Sequence, residues 1–146
     1  MSYTNIGTTI SVSATLPATE DDTGYAALTY TEVTGVASIP ATGPSAAVVS
    51  QADLKDGVVR KAHGEVDYGG GDVQMRYVNG DAGQGILSAA FDSKANIAVK
   101  ESDVDGNVTY YQAIVTSWRT AEKTTGNFKG ITVGMQVTTK TVDVPV

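Results

Sequence analysis

Period-two alternation of apolar and polar side chains recurs along this chain and constrains its fold more than any other feature. Over residues 8–16, Ile10, Val12, Ala14 and Leu16 share one face, while Thr9, Ser11, Ser13 and Thr15 share the other. That is the mark of a half-buried strand. Residues 58–68 alternate too, with Lys61, His63, Glu65 and Asp67 on one side and Ala62, Gly64, Val66 and Tyr68 opposite. Gly69-Gly70-Gly71 then reads as a turn, and residues 72–78 as an antiparallel partner with Val73, Met75 and Tyr77 facing inward. Short strands are expected at 28–33 and 36–39. A second hairpin is expected from 95–100 and 108–118 around Asp105-Gly106, and a long closing strand over 131–144.

Residues 81–92 carry the one helical pattern. Ile86, Leu87, Ala90 and Phe91 form an apolar stripe, and Asp81 with Gln84 three residues on matches a capping box. Gly83 and Gly85 cost such a helix up to about 1 kcal/mol each, so it forms by packing its stripe on a sheet. Residues 17–24 read as an acidic loop holding Glu20, Asp21 and Asp22. Residues 40–57, broken by Pro40, Gly43 and Pro44, read as a long surface loop with a possible strand at 47–50. Loops of that length inside a compact domain often carry function.

The strand over 108–118 is apolar or aromatic on both sides. Val108, Tyr110, Ile114 and Trp118 share one face, and Tyr111, Ala113 and Val115 the other. One face is expected to meet the core and the other a second covering surface.

The chain has 146 residues and no cysteine. One domain is expected, large enough to bury a core without disulfides or metal. The start, MSYTNIGTT, lacks the basic and apolar regions of a secretory signal, and no apolar run is long enough for a membrane helix. A net charge of −6 disfavours ordinary DNA binding, because an acidic surface repels phosphate.

Tests for chemistry come back empty. His63, the only histidine, lies between Lys61 and Glu65 with no nucleophile implied beside it. Asp103, Asp105 and Asn107 alternate like the start of a calcium loop, but Gly106 and Ile114 stand at the wrong positions. Gly69–Gly71 lacks the Lys-Ser/Thr of a phosphate cradle, and Ser88 stands where a dinucleotide fingerprint needs its third glycine. The carboxylates of Glu20, Asp21, Asp22, Asp53, Asp56, Glu65 and Asp67 are scattered. No enzyme, no cofactor and no metal is expected.

With these elements placed, the chain resembles the tail tube (major tail) proteins of long, non-contractile-tailed bacteriophages. The features that carry the resemblance are Gly7-Thr8-Thr9 at the first strand, Gly64-Glu65-Val66-Asp67-Tyr68, Asp72-Val73-Gln74-Met75-Arg76-Tyr77, the helix opening Asp81-Ala82-Gly83-Gln84-Gly85-Ile86-Leu87, the strand over 108–118 and the closing strand. The order of these elements, rather than any one motif, makes the match. It implies a mainly β fold, an antiparallel β-sandwich or partly rolled barrel with one short flanking α-helix, similar in architecture to the type VI secretion tube protein. It also implies hexameric rings stacked into a tube, with tape measure, tail tip and tail terminator proteins as partners. Double-stranded DNA would pass without specific binding, and no membrane would be involved. The site of action would be the virion tail, assembled in the host cytoplasm.

Within that resemblance, Lys61, His63, Glu65 and Asp67 are the candidates to face the lumen; the other reading is an ordinary outer surface. Candidates for contact between subunits or rings are Tyr3 and Ile6 in the N-terminal arm (1–7), and Pro40, Pro44, Val48, Asp53 and Leu54 in the 40–57 loop. Asp105, Tyr110 and Tyr111 complete the set. Competing readings are a stand-alone β-sandwich binding module and another ring-forming virion part, such as a head-tail connector or decoration protein.

Overall fold

The computed structural model describes residues 4–146. It is an antiparallel β structure with two helices. In chain order the elements are β1 (Thr9–Ser13), α1 (Asp22–Ala26), β2 (Thr31–Glu32), β3 (Val36–Ser38), β4 (Thr42–Ala52), β5 (Val59–Arg76), α2 (Ala82–Ser93), β6 (Asn96–Ser102), β7 (Val108–Thr120), β8 (Gly130–Val137) and β9 (Val142–Val144). The main sheet runs β2-β1-β6-β7-β8-β5-β3; β4 joins through β5 and β9 through β7.

The sheet is open but strongly curled. Ile10 and Val12 near one end and Val73 and Met75 near the other belong to one buried cluster, with Leu87 and Ala90 of α2 between them. The alternation over 8–16 yields a shorter strand than expected, β1, because the chain turns away after Ser13, whose hydroxyl bonds with the Thr15 backbone.

α2 begins where the capping pattern predicts. Asp81 Oδ2 accepts from the Gln84 backbone N–H at 3.0 Å. Gln84 does not reach back to Asp81, as a capping box would require. Its buried amide donates to the Thr34 and Arg76 carbonyls and accepts from the Val78 N–H, tying the helix to the strands beside it. Leu87 and Ala90 are buried, whereas Phe91 at the stripe's margin stays 38 % exposed.

Four expectations are corrected. First, the triple glycine is no turn: β5 runs through it as one strand of 18 residues. Gly70 and Gly71 pair with Gln136 and Met135 of β8, while Gly69 pairs with Thr42 of β4. Gly69 has φ +93°, and a Cβ on Gly70 would lie 2.5 Å from the Met135 carbonyl oxygen. The glycines therefore bend a strand and admit close backbone approach, the other use of residues free of Cβ. Second, residues 40–57 hold an 11-residue strand, β4. It pairs only with β5, so it is an edge strand, and Pro44 sits in the register shift between Thr42 and Ser45. Edges and bulges are the places in a sheet that accept proline.

Third, the acidic loop contains the short helix α1. Asp21 caps it, accepting from the Gly24 N–H at 2.7 Å and the Thr19 hydroxyl at 2.8 Å, and those hydrogen bonds hold its carboxyl below the usual range. Fourth, the closing strand breaks into β8 and β9. Both lie along the same side of β7, and Thr138 and Thr139 bond to the Gln112 backbone where the chain bulges between them. The β6–β7 hairpin forms as expected.

The two-sided apolarity of β7 is also explained. Tyr111, Ala113 and Val115 face the main core. Tyr110 lies under α1, stacked on Tyr25 with ring centroids 5.4 Å apart, in a second cluster with Ala98. The covering surface expected over that face comes from the chain itself. Trp118 changes sides: a bulge between Val115 and Ser117 shifts the alternation by one, so Trp118 packs on the main core rather than beside Tyr110.

Gly70 and Gly85 make a sharp contrast. A side chain at Gly85, in α2, meets nothing within 4 Å. We expect Gly85→Ala to raise stability by about 0.5–1 kcal/mol and Gly70→Ala to lower it by more than that, with urea denaturation followed by circular dichroism as the measurement.

Candidate assembly surfaces

The lower half of β5 and all of β4 form a two-stranded ribbon that leaves the body of the molecule. Pairing with β8 covers only Gly70–Arg76 of β5. Among the described residues, β5 below the glycines therefore has β4 on one side and no strand on the other, and the outer edge of β4 is unpaired too. Unpaired strand edges are templates for pairing with another chain.

Both ribbon faces are exposed. Towards the tip one carries Lys61 and His63, with Ser50 and Val48 across from them, and the register shift between Ala46 and Val48 brings Val66, across from Ala46, onto that same side. The other carries Ala62, with Val49 across from it, and past the shift Asp67, with Ser45 across from it; Glu65 lies at the irregularity itself. Val48 is 67 % exposed, Val49 59 % and Val66 47 %. A Cβ on Gly64 would touch the Ala47 carbonyl and the Val49 side chain, so the strands lie close together beside the register shift. A two-stranded ribbon is at best marginal by itself in water. Exposed valines on both of its strands mark a surface built for contact.

The ribbon tip is closed by its own polar groups. Gly57 N–H donates to the Asp53 carbonyl, and Arg60 bridges the Asp53 and Asp56 carboxylates at 3.1 and 2.8 Å. These pairs are exposed and contribute little stability. Leu54 stands fully exposed at the tip.

The expected lumen residues Lys61, His63, Glu65 and Asp67 are all exposed, but the register shift, which the residue alternation does not reveal, leaves Lys61 and His63 on one ribbon face and Asp67 on the other, with Glu65 at the irregularity. Of the contact candidates, Tyr3 lies outside the described residues. Ile6 is 82 % exposed. Pro40 packs near Gly71, Pro44 sits at the ribbon base, Val48 lies mid-ribbon, and Asp53 and Leu54 lie at its tip. Asp105 is exposed at the β6–β7 turn. Tyr110 and Tyr111 are withdrawn from this set: both are buried by their own chain, at 8 % and 0 % exposure, and present no side-chain surface to a partner.

Two clefts that the sequence did not reveal lie beside the N-terminal segment. One, of about 700 Å³, runs between residues 5–8 and 36–40; the other, of about 430 Å³, is lined by Asp103, Asn107, Thr109 and Asp143. Asn5, Thr8 and Glu101 line both. Glu101 accepts the Tyr111 hydroxyl at 2.6 Å. Burial pushes the Glu101 carboxyl above its usual range, partly opposed by that hydrogen bond, and burial with the Glu101 charge pushes the Tyr111 phenol up. No hydrophobic or aromatic periodicity could have pointed to this pair, because the two residues sit on neighbouring strands ten positions apart.

Among the described residues no three His, Cys, Asp or Glu side chains group as metal ligands, and no helix is long and apolar enough to cross a membrane.

No protein-family model and no curated protein matches the sequence. Solved structures match its fold. The SPP1 tail tube, determined by solid-state NMR and cryo-EM, superposes with a TM-score of 0.66 at 16 % identity, covering 95 % of this chain and 77 % of that one. A chain of the anti-feeding prophage baseplate superposes with a TM-score of 0.66 at 9 % identity, covering 100 % of this chain and 99 % of that one. The chain has the fold of tail tube proteins.

Because the folded pKa of Glu101 is raised, its ionisation opposes folding, and stability falls as pH climbs through that pKa. Glu101→Gln keeps an acceptor for Tyr111 without the charge. The variant should be more stable than the parent at pH 7, and the difference should vanish in acid, as read by melting temperature across pH.

Proposed function

We propose that this chain is the tube subunit of a long-tailed phage, polymerising as stacked hexameric rings into the conduit through which DNA is ejected. The observation that carries the reading is the free-standing β4–β5 ribbon, with unpaired edges and exposed valines on both faces, on a tail tube fold. One matching structure is a 6-fold symmetrised assembly, which supports the hexamer. In the proposed ring, Val49 and Leu54 towards the ribbon tip pack on a neighbouring copy, while Glu65 and Asp67 nearer its base line the channel. The net charge of −6 suits a wall that must not hold phosphate. The tape measure, tail tip and terminator proteins are the partners this reading carries with it, and the virion tail its location.

A carbohydrate-binding module would need an aromatic platform, and the burial of Tyr110 and Tyr111 removes two of its members. A connector or decoration protein would close a ring without extending it.

Electron microscopy of the concentrated protein should show tubes with an axial channel; a monodisperse monomer under all conditions would overturn the proposal. Val49→Asp with Leu54→Asp should leave the fold intact by circular dichroism and abolish tubes, since each buries a charge in the contact. Glu65→Lys with Asp67→Lys should still assemble, but phage carrying it should lose infectivity by about tenfold or more. Unchanged infectivity would remove those carboxylates from the channel wall.

A further inference from the structure

β7 spans 13 residues, roughly 40 Å, and its two ends carry opposite charge. Arg119, Arg76, Lys123 and Lys129 all lie in the strands and loop at the Thr120 end. Arg76 pairs with Gly130, whose carbonyl accepts from Ala121, and Lys129 Nζ lies 4.8 Å from the centre of the Tyr77 ring. Glu122 is the only carboxylate in the connecting loop. Phe128 in the same loop is 79 % exposed.

At the Val108 end, Glu101, Asp103 and Asp143 line the smaller cleft. Asp143 accepts from the Thr109 hydroxyl and Asp103 from the Val104 N–H, both neutral donors. Thr8 Oγ1, in the same wall, is the one buried side-chain polar atom without a hydrogen-bond partner among the described residues. One end of the molecule therefore holds Arg119, Arg76, Lys123 and Lys129 against the single carboxylate of Glu122, and the other holds the carboxylates of Glu101, Asp103 and Asp143 with Lys100 turned to the Tyr30 ring.

Within one chain the two ends cannot neutralise each other, because screening acts over about 8–10 Å at ordinary salt. Between copies they can. We infer that the β7–β8 loop of one copy seats on the Asp103–Asp143 cleft of the next, cations against carboxylates with Phe128 covered, so that copies add head to tail. The contact joins two different patches of one chain, which is what an open, growing polymer requires. A second copy, rather than nucleic acid, is favoured because the matching acidic cleft lies on this same chain and the protein as a whole is acidic. The inference rests on the tube reading and adds its axial contact.

The test uses two variants of the full chain. Lys123→Glu with Lys129→Glu makes both ends acidic; Asp103→Lys with Asp143→Lys makes both ends basic. Each alone should lose tube yield by about tenfold or more, and an equimolar mixture should recover it, as counted by electron microscopy and pelleting. Tube yield of the parent should also fall as NaCl is raised. Should the lysine-bearing cleft variant misfold by circular dichroism, Asp103→Asn with Asp143→Asn replaces it, with slower elongation and a smaller dependence of tube yield on NaCl than the parent expected. Tubes from either charge-reversed variant at parental yield, or two folded variants that fail to co-assemble, would overturn the contact while leaving the tube reading standing. So would a Lys123→Glu, Lys129→Glu protein that assembles normally but loses retention on DNA. No tubes from the parent would overturn both.

Discussion

Everything distinctive about this molecule depends on how the backbone of β5 is shared. Above the glycines it is a central strand, paired with β8 and touching β3. Below them it belongs to a ribbon with β4 alone. A strand of 18 residues is far longer than its body can cover. The body supplies hydrogen bonds and apolar packing for the upper part; the lower part receives one partner strand and water. The glycines let one continuous chain pass between these two environments, since they permit the positive φ and the close approach to Met135 that a side chain would block.

The body itself is held from two sides. α2 fills the concave side of the curled sheet, anchored by the buried Gln84, which ties the helix to the paired β3 and β5 segments at Thr34 and Arg76. α1 and β9 cover the other side around Tyr25 and Tyr110. With both surfaces of β7 satisfied internally, the exposed apolar groups are displaced to the periphery, at Val48, Val49, Leu54, Phe128 and Ile6. A self-contained centre with greasy extremities is what a subunit needs if it is to fold before it assembles.

The sequence made the antiparallel β character, the β6–β7 hairpin and the start of α2 legible, because alternation and capping are local patterns enforced by local geometry. What it hid was decided by distant partners. Gly69–Gly71 looks like a turn until β8 is seen to pair with Gly70 and Gly71. The Ala/Ser-rich run of β4 has weak strand propensity and becomes a strand by pairing with β5. Trp118 falls on the wrong face because one bulge, invisible in the residue pattern, shifts the count. α1 was masked by its acidic residues, although Asp21 is the kind of side chain that caps a helix. The alternation over 61–67 reads as one charged face, and the register shift opposite Ala46 and Val48, which only pairing with β4 reveals, divides it. The Glu101–Tyr111 pair and the cation-rich end of β7 arise only when the strands lie side by side.

Pro44 and the two register shifts of β4 govern what its free edge can pair with. A bare strand border invites indiscriminate sheet growth, the route to fibrous aggregates. Pro44 withholds an N–H there, and the irregularities on either side of Ala46 keep the border from being long and flat. Such a border accepts a neighbouring strand only where the neighbour's shape matches its kinks.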